Sequence, residues 1–175
     1  MILQPINRHK DLFKIKDLID AELIDCIDIN ELLNLPFAEE TWQEQYNRRR
    51  LKENQLLLDI ASSIRNKLQK LVDITEMQIT SCATGFWLDG PGFTMTRHLD
   101  NSDVFAAMQI YLTDGVNVPG TKFTDLDEKE RYVFPYCKNT GYLMINNINQ
   151  YHEVAGTVPM DTYRLCSYTW FLPKL

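Results

Sequence analysis

The sequence predicts a mainly β domain with helices on its N-terminal side, and three observations carry that prediction. From about Thr75 onward, short β-prone runs alternate with turn residues, the pattern of an all-β barrel or sandwich. Before that point, residues 1–73 read as mostly helical. The length, 175 residues, suits one domain able to bury a sizeable core without staples. On this reading 1–175 is a single domain. Residues 1–73 form a helical support packed on one face of a sheet, and 74–175 form the β core.

Taken in order, Phe13–Leu18 alternates Phe13 and Ile15 with polar positions and allows a leading strand. Asp20 is placed to cap a short helix over Ala21–Ile29. A second helix runs from about Arg50 to Val72. Its residues Leu56, Leu57, Ile60, Ala61, Ile64, Leu68 and Leu71 follow the 3.6-residue period and need a surface to bury them. The strand candidates are Met77–Ala83, Gly85–Leu88, Phe93–Leu99 after an Asp-Gly-Pro-Gly turn, Phe105–Leu112, Tyr132–Tyr136, Tyr142–Asn146, Glu153–Ala155 and Tyr163–Leu172. Asp125–Arg131 is a charged loop, and no internal repeat or low-complexity tract interrupts the chain.

Composition excludes several classes. Hydrophobic residues make up 45% and charged residues 24%, as in ordinary globular proteins, and the net charge of -6 argues against an electrostatic grip on nucleic acid. The basic run Arg48-Arg49-Arg50, beside Glu44 and Glu53, reads as a solvated face. The four cysteines form no CxxC pair, so a cysteine zinc site is not expected. The N-terminus turns polar too soon for a signal peptide, and no apolar run approaches a membrane span. A reducing cytoplasm with free thiols is the expected setting.

The chemistry concentrates on the three histidines. His98 and Asp100 lie two residues apart in a β-prone run, so they project to one face as a nitrogen and an oxygen donor. His152 stands beside another strand and supplies a third ligand. Two histidines and one carboxylate bind non-haem Fe(II) on one face and leave the opposite positions open. Alone, an HxD triplet arises easily by chance. A second element sits in register with it: Arg164, in a run whose same-face residues are Arg164, Cys166, Tyr168 and Trp170. An arginine inside a strand that reads as core needs a partner. A guanidinium suits a ligand carboxylate, gripped by two parallel hydrogen bonds. It equally suits a protein carboxylate or a barrel rim.

Together these motifs resemble the 2-oxoglutarate/Fe(II) oxygenases, in particular their prolyl-4-hydroxylase-like branch, over roughly residues 77–172. Gly90–Asn101 looks like the HxD strand, Phe105–Asp114 like the strand that follows, and Pro119–Asp125 like the family's glycine-threonine turn. Phe134–Asn147 is similar to its Pro…Gly-aromatic strand, Tyr151–Val158 carries the distal histidine, and Tyr163–Phe171 looks like its arginine strand. The resemblance implies a double-stranded β-helix, a jelly-roll or cupin-like barrel. It implies that His98, Asp100 and His152 hold the iron, and that Arg164 and Tyr111 bind the far carboxylate of 2-oxoglutarate. Gln109, on the face of Tyr111, lines the pocket or makes a cross-strand hydrogen bond. Cys166 stands where the family often has Ser or Thr, and Trp87 where it often has Tyr. Retention of Asp100 argues against halogenation, and Tyr168-Thr169-Trp170 against the nucleic-acid demethylating branch.

The implied activity is hydroxylation of an unactivated C–H bond with O2, releasing succinate and CO2. A prolyl or peptidyl substrate is the first expectation and a small molecule the second. Arg97, Asn101, Trp87, Asn147 and Trp170 are further pocket candidates, and Val116–Lys122 and Leu35–Arg50 are expected at the barrel mouth. The alternative is a catalytically silent barrel used as a binding module. A cupin-type enzyme is disfavoured because the only spare histidine is His9.

Overall fold

In the computed structural model, residues 1–6, 9–36, 47–75 and 79–173 are described. The elements are β1 (Ile2–Ile6), β2 (His9–Lys16), α1 (Ala21–Asp25), α2 (Ile29–Leu33), β3 (Arg48–Arg50), α3 (Gln55–Thr75) and β4 (Ile79–Asp89), followed by β5 (Ala106–Tyr111), β6 (Thr121–Thr124), β7 (Glu130–Phe134), β8 (Thr140–Ile145), β9 (Tyr151–Val154) and β10 (Arg164–Pro173). They build a seven-stranded antiparallel sheet in the order β1-β2-β8-β5-β10-β4-β3 and a three-stranded sheet in the order β7-β6-β9.

The period of two along each strand divides the core into two layers. Ala106, Met108 and Ile110 of β5, Phe86 and Leu88 of β4, and Leu165 and Phe171 of β10 face outward. There they meet Leu57, Ile60, Ala61 and Ile64 of α3. Residues one position out of phase, Ala107, Tyr111 and Cys166, face inward with Tyr142 and Met144 of β8 and meet Phe123 and Phe134 of the small sheet. The large sheet is thus covered by helix on one side and by the second sheet on the other, the expected double-stranded β-helix.

The N-terminal part departs from a mostly helical reading. β1 and β2 form a hairpin, and β2 extends the large sheet by pairing with β8. Its residues serve both layers: Phe13 and Ile15 pack with the outer cluster and Leu12 with the inner one. The leading strand expected over Phe13–Leu18 is therefore present, but it starts earlier, at His9, and ends at Lys16. The helix expected over Ala21–Ile29 is two short ones, because Asp28 accepts a hydrogen bond from the Asn30 amide (2.8 Å) and starts α2. Asp20 does not cap α1 with its side chain; its carboxylate binds Ser63 and Lys67 of α3 instead.

The long helix starts later than expected. Asn54 accepts from the Leu57 amide at 2.9 Å, and Arg48–Arg50 upstream is strand β3. Gly85–Leu88 and the described part of Met77–Ala83 belong to the single strand β4; Met77 itself, and 37–46 within Leu35–Arg50, lie outside the described residues. Thr121–Thr124, expected within a turn, is β6. Phe93–Leu99 is not a regular strand. It runs extended beside β9, held by Val158 N to Phe93 O (2.9 Å), Val154 N to Met95 O (3.1 Å) and one reciprocal bridge between His98 and His152.

Candidate functional site

That single bridge brings the metal-ligand candidates together. His98 N donates to His152 O at 3.0 Å and His152 N to His98 O at 2.9 Å, so the two side chains emerge side by side with ring centroids 4.3 Å apart. Asp100 projects to the same place although the segment carrying it is irregular. Donor atoms of His98, Asp100 and His152 all lie within 4.8 Å of one another.

The surroundings fix the state of each donor. His98 Nδ1 lies 2.8 Å from Thr96 O and His152 Nδ1 lies 3.1 Å from Gln150 O. A carbonyl only accepts, so both Nδ1 atoms carry the proton and both Nε2 lone pairs are left for a metal. His152 is buried, stacked on Phe123, and its Nε2 is 3.5 Å from Asp100 Oδ1. Burial pushes its pKa down to about 4; Asp100 works the other way, and His98 and Arg48 lower it further. The ring is therefore neutral at pH 7. Tyr168 donates its hydroxyl to Asp100 Oδ2 at 2.5 Å, leaving Oδ1 turned toward the histidines. Burial, and then the negative charge of Asp100, raise the Tyr168 phenol well above its ordinary value, so it stays a donor. Two imidazole nitrogens and one carboxylate on one face fit a divalent transition metal of the Fe(II) type.

These residues open onto a cavity of about 600 Å³. Arg48, Trp87, Gln109, Thr121, Tyr142 and Arg164 also line it, as does Asn101. Arg164, 1% exposed, donates from Nε to Pro119 O (3.1 Å), from Nη1 to Asp89 Oδ2 (2.5 Å) and from Nη2 to Thr121 Oγ1 (3.2 Å). Burial works against its charge, but the groups around it, Asp89 first and then Cys166 and Tyr111, together outweigh burial and the pKa is raised. Gly120 makes this possible. A Cβ there would stand 1.7 Å from Phe134 O, so only glycine lets the chain turn and present the Pro119 carbonyl.

Tyr111 is fully buried behind this wall. Its hydroxyl donates to Thr121 Oγ1 at 2.8 Å, its ring lies 5.2 Å from the Arg164 guanidinium, and burial raises its pKa. It reaches the cavity through Thr121, which lines it. Gln109 accepts from the Tyr142 hydroxyl at 3.1 Å, as the cross-strand reading expected. Gln109 also lines the cavity, and its buried Nε2 has no hydrogen-bond partner among the described residues.

Other pocket candidates divide. Trp87 and Asn101 line the cavity. Arg97 turns away to Thr124 Oγ1 and Asp125 O and stacks on Tyr151; Asn147 binds Asp11; Trp170 lies beside Arg50. Arg48 reverses the expectation of a solvated basic run. Its side chain is 11% exposed, its Nε is 3.0 Å from Asp89 Oδ1, and its guanidinium lies over Trp87 and Phe93. Sequence reasoning passed over Asp89, Arg48 and the role of Tyr168. Only for Tyr168 was a signal present, since it shares the inward face of Arg164.

No family model and no curated protein matches the sequence. Solved structures do match. A Pseudomonas putida prolyl-4-hydroxylase has a TM-score of 0.69 at 15% identity, covering 94% of this chain and 93% of its own. The fold is that of the prolyl-4-hydroxylases and related 2-oxoglutarate oxygenases. A Trichoplax adhaerens prolyl hydroxylase, in complex with a hypoxia-inducible-factor peptide fragment, follows at TM-score 0.66 and 12% identity, covering 93% of this chain and 84% of its own. HygX from Streptomyces hygroscopicus, with nickel, 2-oxoglutarate and hygromycin B bound, matches at TM-score 0.66 and 10% identity, covering 94% and 84%. This prolyl-hydroxylase fold includes no described helix long and apolar enough to cross a membrane, and all four thiols are free.

Proposed function

We propose that this chain is a single-domain Fe(II)- and 2-oxoglutarate-dependent dioxygenase that hydroxylates an unactivated C–H bond. One observation carries the reading: three preset metal donors and a buried arginine line the same cavity. His98, Asp100 and His152 would hold the metal, and Arg164, Thr121 and Gln109 would form the wall that takes the far carboxylate of 2-oxoglutarate. Tyr111 would act on that carboxylate through Thr121. Bound iron with 2-oxoglutarate supplies the oxidising power, and O2, succinate and CO2 complete the reaction.

The chain's own residues position and protect. The carbonyls of Thr96 and Gln150 hold both histidines in the ligating tautomer. Tyr168 keeps Asp100 aimed. Phe123, Tyr142 and Cys166 exclude water from the inner wall. A prolyl or peptidyl substrate is the first assignment and a small molecule the second, entering on the side of Asn101 and Trp87. A cytoplasmic setting accords with four free thiols.

The test is a screen for succinate formation against proline-containing peptides, free amino acids and nucleosides. One substrate class should stimulate succinate release, and His98→Ala and Asp100→Ala should abolish it; a variant that retains it sinks the assignment. One observation favours the silent-barrel reading: the charge of Arg164 is already met by Asp89. On that reading no substrate stimulates succinate release from the native protein.

A further inference from the structure

Arg164 and Asp89 are directly opposed across β10 and β4, and Asp89 is directly opposed to Arg48 across β4 and β3. The three side chains form one row, a carboxylate between two guanidinium groups. Asp89 Oδ2 is 2.5 Å from Arg164 Nη1, and Asp89 Oδ1 is 3.0 Å from Arg48 Nε. Asp89 is 0% exposed and does not line the cavity, whereas both arginines do.

Charge accounting gives this row a consequence. Arg164 and Asp89 alone make a neutral buried pair. A ligand carboxylate brought against a neutral pair in a desolvated wall has no net cation to replace its lost hydration. Arg48 supplies that charge, and the row as a whole carries one positive unit. We propose that Arg48 is a specificity-determining residue of the site, and that the far carboxylate of the cosubstrate is taken by the Arg48–Asp89–Arg164 row rather than by Arg164 alone. The inference rests on the 2-oxoglutarate reading above.

Arg48 is prepared for this role. Its guanidinium lies 4.8 Å from the Trp87 ring and 5.4 Å from Phe93, which fix its plane. Its Nε is paired with Asp89 Oδ1 by charge, at 3.0 Å, without a hydrogen bond, and its acceptors among the described residues are weak sulfur ones: Met95, from Nη1 at 3.8 Å, and the Cys166 thiol. Guanidinium N–H groups therefore remain for a ligand in a cavity that Arg48 lines. Asp89 is a positioning residue: behind both arginines, it aims them and keeps two like charges together.

The test measures binding rather than turnover. Nickel-loaded protein is titrated without oxygen with 2-oxoglutarate and with its ester capped at the far carboxylate. Native protein should bind the acid well and the ester poorly. Arg48→Gln should lose tenfold or more in affinity for the acid, keep its affinity for the ester and for nickel, and so narrow the acid–ester difference. Arg48→Lys, which restores the charge, should recover most of the acid affinity. An Arg48→Gln protein that binds the acid like the native one overturns this inference alone. Equal loss of acid and ester, or loss of nickel, makes Arg48 merely structural and overturns it too. If native protein binds nickel but not the acid, the cosubstrate reading fails and this inference with it.

Discussion

Asp100 divides its two oxygens between different partners, and that division would set the proposed metal face at the residue scale. Oδ2 takes the Tyr168 hydroxyl while Oδ1 stays near His152 Nε2. Removing an outer partner of a metal ligand commonly lowers metal affinity ~10–100-fold. Tyr168→Phe should show that loss in chelator competition with its fold intact, and undiminished affinity would show that the hydroxyl does not aim Asp100. The three candidate donors stood out in the sequence because histidine is scarce here; the regular strand expected to align His98 with Asp100 is absent, and the bridge between His98 and His152 brings them together instead. Asp89 and Arg48 were not legible. A buried arginine demands a carboxylate, but which one depends on cross-strand register, which no local pattern records. Asp89 read as part of a turn and Arg48 as part of a solvated run for that reason.

Among the elements, α3 and the strands it covers followed from periodicity alone. Leu57, Ile60 and Ile64 recur at helical spacing and are fully buried against the large sheet. Ile60→Ala should cost about 2–5 kcal/mol in denaturant unfolding. Metal affinity should be unchanged, since Ile60 belongs to the outer cluster and the ligands lie on the inner side. β2 was legible over Phe13–Lys16, where Phe13 and Ile15 alternate with polar residues, but not over its first half. β6 was harder to place, since it has only four residues next to a glycine turn. Gly120 fixes that turn, with a Cβ-to-carbonyl approach that nothing flexible can relieve. Gly120→Ala should lower the melting temperature and weaken 2-oxoglutarate binding together, because the Pro119 carbonyl that orients Arg164 moves with it. Loss of stability with unchanged binding would separate the turn from the site.

At the scale of the whole molecule, the metal end and the arginine row belong to different sheets. His98 and His152 stand at the edge of the small sheet, and Arg48, Asp89 and Arg164 in the large one. A ligand that touches both ends ties the sheets together, so binding should appear as global stability. At a ligand concentration of 100 Kd the gain is about 2.7 kcal/mol. Thermal unfolding with nickel and 2-oxoglutarate together should exceed the sum of either alone, and simple additivity would mean that no ligand spans the cavity. A β barrel or sandwich was legible from the rhythm of short strands and turns, and the double-stranded β-helix only from the resemblance of the motifs. The row across β10, β4 and β3 was not, since it exists only once those three strands are in register.

The central claim is that His98, Asp100 and His152 hold a metal that 2-oxoglutarate reaches directly. Titration of the apo protein with Fe(II) and then 2-oxoglutarate, without oxygen and followed by visible absorption, tests it most directly. A weak charge-transfer band should appear that needs both additions and vanishes in Asp100→Ala. A native protein that binds iron yet develops no band on saturation with 2-oxoglutarate would contradict it.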